Sequence, residues 1–417
     1  SSDVCSSDLL YKLLKKSEKY THTDMVYLAK SGSWLSLNQA LSLLISFGLS
    51  IAYANLLDKE TFGNYRYVLS AFGFISLLAL PGVYTAITQS ISRGFDGSLK
   101  TGFSKKLRWG LLASAFALLL AIYYFIKDNN ILGTSFVIIA IFLPIIESYG
   151  IYVSLLQGKK LFKQHSIFNL ITVAISTLAL LITIYLNQNI YIILLVYFLS
   201  IAIPKIIFYN YSQKKYIAND LQDSEVDHFI KRINAFQIFS NATQYIDKIL
   251  LFTILGASQL AIFTFAIAIP EHIKGFFRIS ATVSFPKFAT KSVEEIRKHI
   301  LKKILLLGAL ISLAIVAYIL LAPYIFKFLF PQYIEAVLLT QVIAITAIYS
   351  ITYPIGAFLT AHKKVKPLFI ISSSSFILGL IAMIIFIPIY DIWGAVIGLA
   401  INRLINIITS FYYLYKV

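Results

Sequence analysis

Apolar residues run along this chain in about twelve blocks of roughly 20–27 residues, parted by short polar turns; at about 1.5 Å per residue, one helical block crosses a hydrocarbon core of about 30 Å. Six predicted spans occupy 34–57, 67–91, 107–126, 132–156, 166–186 and 190–209. Six more occupy 233–255, 259–285, 301–325, 335–361, 367–389 and 393–415. The pattern predicts an all-α integral membrane protein of twelve transmembrane helices. The longest connection, 210–232, divides the spans into an N-lobe at 34–209 and a C-lobe at 233–417, with a basic segment at 10–33. Residues 1–9 (SSDVCSSDL) differ in character from all that follows and read as an assembly scar.

Composition agrees: 58% of residues are hydrophobic, 13% are charged, and mean hydropathy is +0.78. A net charge of +17 could signal a nucleic-acid partner, but its placement excludes one. With these spans, 28 lysines and arginines fall on one side of the membrane and 4 on the other. The positive-inside rule explains that bias and predicts both termini in the cytoplasm. The one cysteine, Cys5, lies in the scar, which excludes an internal disulfide or a thiolate metal site. The first apolar span is too long for a signal peptide and follows a basic segment. The histidines show no metal spacing, and no nucleophile or phosphate-loop motif is present, so neither a metal nor a cofactor is expected.

Two internal echoes suggest a parallel repeat. LLDKETFGNYRY at 56–67 resembles ILGASQLAIFTF at 254–265, and LLQGKKLFK at 155–163 resembles LTAHKKVKP at 359–367. An even number of spans separates each pair, so the two lobes are predicted to be related by a pseudo-two-fold axis along the membrane normal.

Polar residues inside the spans carry whatever chemistry there is. Lys248, Lys274, Arg278 and Arg403 are bases at membrane depth, each costing about 2.5–3.5 kcal/mol on insertion scales unless paired or wetted. The seventh span repeats Gln237, Asn241, Gln244, Asp247 and Lys248 on one helical face, and the eighth repeats Glu271, Lys274 and Arg278. The first carries Gln39, Ser42, Ser46, Ser50 and Tyr53; the fourth Glu147; the twelfth Arg403 and Asn406. Helix–helix glue accounts for the Ser, Thr and Asn positions. Two bases with a single acid on the eighth span favour a water-filled cavity instead. For Arg66, near the outer mouth, snorkelling and function explain the position equally well.

These features together resemble a polysaccharide-biosynthesis flippase of the multidrug/oligosaccharidyl-lipid/polysaccharide exporter superfamily. The resemblance rests on the basic N-terminal segment, LLDKETFGNYRYVLSAFGFISLL with its Phe62-Gly63 turn, and YIDKILLFTILGASQLAIFTFA. TAHKKVKP and IPIYDIWGAVIGLAI extend it across nearly the whole chain; Asp391 departs from the glycine many relatives carry there. The resemblance implies two six-helix lobes around a central cavity, alternating access, and undecaprenyl-diphosphate-linked oligosaccharide as the substrate. It implies a bacterial inner membrane location, with polymerase and chain-length machinery as candidate partners. Lys274, Arg278, Lys248, Arg403, Gln39, Gln244 and Asn241 would line the substrate cavity, and Asp247, Glu271 and Glu147 are candidate acids for H⁺ or Na⁺ coupling. Rival readings are a drug or organic-cation antiporter, which would want acids to dominate the cavity, and a membrane enzyme acting on lipid-linked sugar, for which the outward turns are too short to build a site.

Overall fold

The computed structural model describes residues 25–289, 293–362 and 364–416; within these, the side chain of Arg278 lies outside the described residues. The scar assigned to 1–9 also lies outside them. The described chain is helical throughout, with no strand. Its first lobe contains α1 (Met25–Leu56), α2 (Lys59–Ile75), α3 (Gly82–Ser92) and α4 (Ser98–Ile126). It continues through α5 (Asn130–Tyr149), α6 (Tyr152–Gly158), α7 (Phe162–Leu186) and α8 (Ile190–Tyr216). The second contains α9 (Val226–Ala242), α10 (Ile246–Leu255), α11 (Ala257–Ala289) and α12 (Val293–Leu329). It closes with α13 (Ala336–Thr346), α14 (Tyr353–Ala361), α15 (Val365–Tyr390) and α16 (Ile392–Lys416).

Among the described residues, nine helices or helix runs are long and apolar enough to cross a membrane, and ten if the bent pair 59–79 and 82–92 is one span. The other two of the twelve predicted spans are α9–α10, which is interrupted, and α11, which carries the buried charges. Leu306, Leu313 and Leu320 on α12 are at least 65% exposed, as a bilayer-facing surface requires.

Helices outrun the expected boundaries at both ends of the lobes. The linker expected at 210–232 is mostly helical, because α8 runs on to Tyr216 and α9 starts at Val226. What is left, 217–225, is fastened to the first lobe. Asp220 pairs with Lys100 at 2.8 Å and Asp223 with Arg93, and Asp227, in the first turn of α9, pairs with Lys105 at 2.9 Å. The buried Asp96 accepts from Lys159 at 2.5 Å and from the Ala218 amide at 2.8 Å. These acids sit opposite bases that the charge count placed at the membrane surface, so the linker neutralises part of that surface.

The predicted turn at Phe62-Gly63 is corrected: α2 already begins at Lys59, capped by Asp58, whose carboxylate accepts from the Thr61 amide at 2.8 Å. In the proposed repeat, Lys59 corresponds to Ala257, and both are the first residues of their helices. The two helix starts meet: a Cβ on Gly63 would run into the Ala257 carbonyl, so only glycine permits this approach. Around that contact Phe62 stacks on Phe265 at 4.8 Å, Phe265 packs on Tyr333 at 4.2 Å, and Tyr67 stacks on Phe252 at 3.8 Å. Lys59 pairs with Glu335, and Asn55 donates to the Leu329 carbonyl at 2.9 Å. The lobes are sealed at this end.

Toward the linker end, the lobes still touch through α3 and α9, where the Gly82 amide donates to Asn234 at 3.1 Å and Gln237 to Thr85 at 2.7 Å. The front of the molecule differs. There α1 packs on α7, with Asn169 donating to the buried Asn38 at 2.9 Å, whereas α11 packs on α14 in its own lobe. Only 6% of the apolar stretch of α1 is buried, so it stands open on most sides.

Three spans are broken where polar residues gather: at Leu80–Pro81, at Gly150–Ile151 and at Thr243–Tyr245. Pro81 lacks the donor a continuous helix needs, and the chain bends by 53° there. Asp391, at the α15–α16 turn, has φ 50°, the left-handed region that explains glycine in relatives.

Candidate functional site

A charge cluster is built in the second lobe from three elements. Glu271 and Lys274 lie one turn apart on α11 and form an ion pair. Arg403 reaches across from α16 to the other oxygen of Glu271 at 2.5 Å and donates to the Thr346 hydroxyl at 2.5 Å. Tyr349, on the 3₁₀ turn 347–352, packs its ring against both cations, 5.6 Å from Lys274 and 5.2 Å from Arg403. One carboxylate serves two bases, leaving a surplus positive charge at membrane depth. The Arg403 side chain is only 5% exposed, but Lys274 is 21% and Glu271 33% exposed, so the protein does not close over the cluster completely. A buried cation with no such opening would be costly.

Beside it lies the break between α9 and α10. Asp247 lies in the first turn of the restarted helix, its carboxylate accepting from the Lys248 amide at 2.8 Å and pairing with the Lys248 ammonium at 3.2 Å. That ammonium also donates to the Gln244 carbonyl, 2.9 Å away, which the break leaves without its helical partner. Lys248 is within electrostatic reach of Glu271, so these residues belong to one field. Asn241 is half-buried at the break, and Gln244 is exposed. Gln39 stands exposed on α1, while its neighbour Asn38 makes the contact to α7.

Glu147 proves to have partners that the sequence reading assigned to the membrane surface. Lys106, fully buried on α4, pairs with it at 2.8 Å and lies 4.2 Å from the Tyr84 ring. Lys205 on α8 donates to the Ile146 carbonyl at 3.3 Å, and Tyr84 donates to the Glu147 carbonyl at 3.1 Å. Both carbonyls belong to the end of α5; the Ile146 carbonyl also accepts the Gly150 amide at 3.2 Å, whereas the Gly150–Ile151 break turns the Ile151 amide to Ser148 and leaves the Glu147 carbonyl to Tyr84. A side chain on Gly150 would crowd the Tyr84 hydroxyl and the Lys205 ammonium. Both lysines had been counted among surface bases; the readable sign was Lys205 directly after Pro204 in an unbroken apolar run.

Arg66 lies on α2 near the sealed end, among the phenols of Tyr53, Tyr65 and Tyr197. The Tyr53 and Tyr65 hydroxyls bond each other at 2.9 Å, and Tyr65 meets Tyr197 edge-on at 5.9 Å. The Arg66 Nε is buried with no hydrogen-bond partner among the described residues. Tyr53 is thereby taken out of the polar stripe expected on the first span. It is 6% exposed and part of the seal.

The structure therefore brings Lys274, Glu271 and Arg403 into contact, with Asp247, Lys248, Gln244 and Asn241 beside them. Glu147 stands in the other lobe, where Tyr245 at the α9–α10 break is within its electrostatic reach. Gln39 joins neither cluster through a described contact. Arg278 falls one turn beyond Lys274 on α11, its side chain outside the described residues.

The family model described as polysaccharide biosynthesis protein matches residues 28–291. Among solved structures, the lipid II flippase MurJ in an inward closed conformation superposes with a TM-score of 0.69 at 16% identity, covering 91% of this chain and 87% of that one. An inward-facing multidrug resistance MATE family transporter of the MOP superfamily gives 0.67 at 15% identity, covering 93% and 97%. A MOP superfamily transporter from Pyrococcus furiosus, described by the reversed polarity of its binding pocket, gives 0.58 at 12%, covering 94% and 95%. At these identities the likeness establishes the two-lobed fold alone. A search of curated proteins gave no match.

Proposed function

The chain belongs to the polysaccharide biosynthesis protein family, and we propose that it is a flippase carrying undecaprenyl-diphosphate-linked oligosaccharide from the cytoplasmic to the outer leaflet by alternating access. The supporting observation is the Lys274–Glu271–Arg403 cluster, a positive surplus at membrane depth whose Lys274 and Glu271 are part-exposed. A diphosphate is the anion such a cluster suits. Arg403 offers a planar fork and Lys274 a mobile ammonium, and charge-assisted bonds to phosphoryl oxygens are about twice as strong as neutral ones. Glu271 would give up its two cations as the substrate anion arrives. The isoprenoid chain would stay in lipid while the sugars cross between the lobes.

With the linker end in the cytoplasm, as the basic loops favour, the Phe62, Phe265 and Tyr333 packing would lie toward the outer side of the membrane. The bacterial inner membrane is the matching location, and no bond-making step is assigned to the protein. Coupling to H⁺ or Na⁺ would fall to Asp247, Glu271 or Glu147, each of which here carries a basic partner.

Reconstituted protein should flip a fluorescent undecaprenyl-diphosphate-linked sugar, with Lys274→Ala and Arg403→Ala reduced to the rate of empty vesicles at normal protein levels. Wild-type rates from both variants would remove the diphosphate site. Efflux of organic cations with no lipid flipping would favour the antiporter instead.

A further inference from the structure

Beside the ion pair of Lys105 and Asp227 lies a cavity of about 400 Å³. Lys105 and Trp109 of α4 line one side, and Asp227, Lys231 and Asn234 of α9 line the other. The α9 residues recur at steps of four and three, so a single face of that helix is turned to the cavity. Leu80 adds a further wall from the bend before α3, where the chain turns by 53°. Asn234 is itself held by the Gly82 amide at 3.1 Å, so the walls come from both lobes and are tied to each other.

Two lysines and one aspartate leave one positive charge over. Asp227 answers Lys105 at 2.9 Å, while Lys231 is exposed and has no ion pair among the described residues. The diphosphate site uses none of these groups. Lys105 and Lys231 stand just ahead of the predicted spans 107–126 and 233–255, which puts both ammoniums at headgroup level. Trp109, one turn further in, is exposed at the depth where tryptophan marks a membrane interface.

Below the cavity, α4 continues with Leu112, Phe116 and Leu119, all exposed. From Lys105 through Trp109 they follow at steps of four, three, four and three, in line on one helix face. Trp109 to Leu119 covers about 15 Å, half of a hydrocarbon core of about 30 Å. A molecule seated here has its anion among the lysines and an apolar chain along one leaflet. Free phosphate has no use for such a track, and a diphosphate brings more negative charge than the single surplus cation answers. A phosphodiester carries one negative charge and matches it.

We propose that this cavity holds the headgroup of an anionic phospholipid, with its phosphodiester on Lys231 and Lys105 and an acyl chain along Trp109, Leu112 and Phe116. Basic pockets between spans at the membrane surface are the setting in which acidic headgroups are recognised. The lipid would join α4 to α9 next to the salt bridges of the linker, fastening α9 to the first lobe whatever substrate the protein carries.

The test uses the full chain carrying Trp34→Phe and Trp393→Phe, which leaves Trp109 as its one tryptophan. In phosphatidylcholine vesicles, quenching of Trp109 fluorescence is titrated with brominated phosphatidylglycerol and with brominated phosphatidylcholine. The anionic lipid should reach half-quenching at about tenfold lower mole fraction, the size expected of a charge-assisted contact. Lys231→Gln should bring the two lipids within about twofold of each other, with quenching by phosphatidylcholine unchanged as the sign of an intact fold. Lys231→Arg should keep the preference. Lys302→Gln, which removes an exposed base of α12 outside the cavity, should keep it too. Equal quenching by the two lipids at the outset, a preference that survives Lys231→Gln, or an equal loss in Lys302→Gln would each overturn the proposal. So would undecaprenyl phosphate displacing the brominated lipid at lower concentration than unlabelled phosphatidylglycerol does, which would make the cavity an entry point for substrate instead.

Discussion

Glu271 of α11 and Arg403 of α16 are joined at 2.5 Å across 132 residues of chain, and the same carboxylate is shared with Lys274 one turn away. On the flippase reading, an incoming phosphoryl group would compete with this carboxylate for the same two cations. Glu271→Gln should therefore tighten inorganic pyrophosphate binding by about tenfold, since a charged competitor is replaced by a neutral amide. It should also slow turnover, because release loses its internal replacement anion. Calorimetric titration beside a flipping assay checks both; weaker pyrophosphate binding in the variant would contradict the competition.

The Lys106–Glu147 pair supports the first lobe, with Lys106 fully buried. Lys106→Ala strands a carboxylate inside the lobe and should cost about 3–5 kcal/mol, seen as a clear drop in melting temperature in detergent. Lys106→Met combined with Glu147→Leu should recover most of that loss, since replacing a whole buried pair by apolar side chains is close to neutral. A double variant as unstable as the single one would mean that Glu147 does more than answer Lys106.

Gly63 controls whether the sealed end can close. Gly63→Val puts a branched side chain where the Ala257 carbonyl sits, so this end should be held open. Because Cys5 is the one cysteine in the sequence, a Cys5→Ser background with Ala261→Cys gives a clean reporter at a buried α11 position. A membrane-impermeant maleimide should label that cysteine in the Gly63→Val protein and leave it unlabelled with Gly63 in place. Equal labelling would detach the glycine from closure.

Asp58 offers a pH test outside the spans. Burial pushes its carboxyl up, but the Thr61 amide and hydroxyl and other backbone amides outweigh that and hold it below the usual carboxylate range. A depressed folded value means the stabilisation is present above the unfolded value and is lost as pH falls through the folded one. At neutral pH, Asp58→Ala should cost about 1 kcal/mol, a typical cap. Wild type and variant should converge in melting temperature as the pH drops below about 4. A gap that persists in acid would show that the cap acts through shape rather than charge.

Much of the fold was legible because hydrocarbon thickness sets block length, and block length survives in a single sequence. The charge count assigned the loops to sides from the same spacing. It failed at Lys106 and Lys205, because a base two turns inside a helix end looks the same in sequence as one at the surface. Pro81 marked its own bend, whereas the break at Gly150–Ile151 depends on Tyr84 arriving from another helix to satisfy the Glu147 carbonyl. Lys274 and Glu271 were readable as an i, i+3 pair, but Arg403 as their partner was not, since nothing local ties α16 to α11.

The salt bridges of Asp220, Asp223 and Asp227 have a mechanical consequence. They moor the linker and the first turn of α9 to the lobe that precedes it in sequence, while α10, just past Thr243–Tyr245, packs among α11, α15 and α16 as well as on α2. On the flippase reading, rocking of one half against the other would turn on Thr243–Tyr245 rather than on the longest loop, which puts the pivot beside the Asp247–Lys248 ion pair.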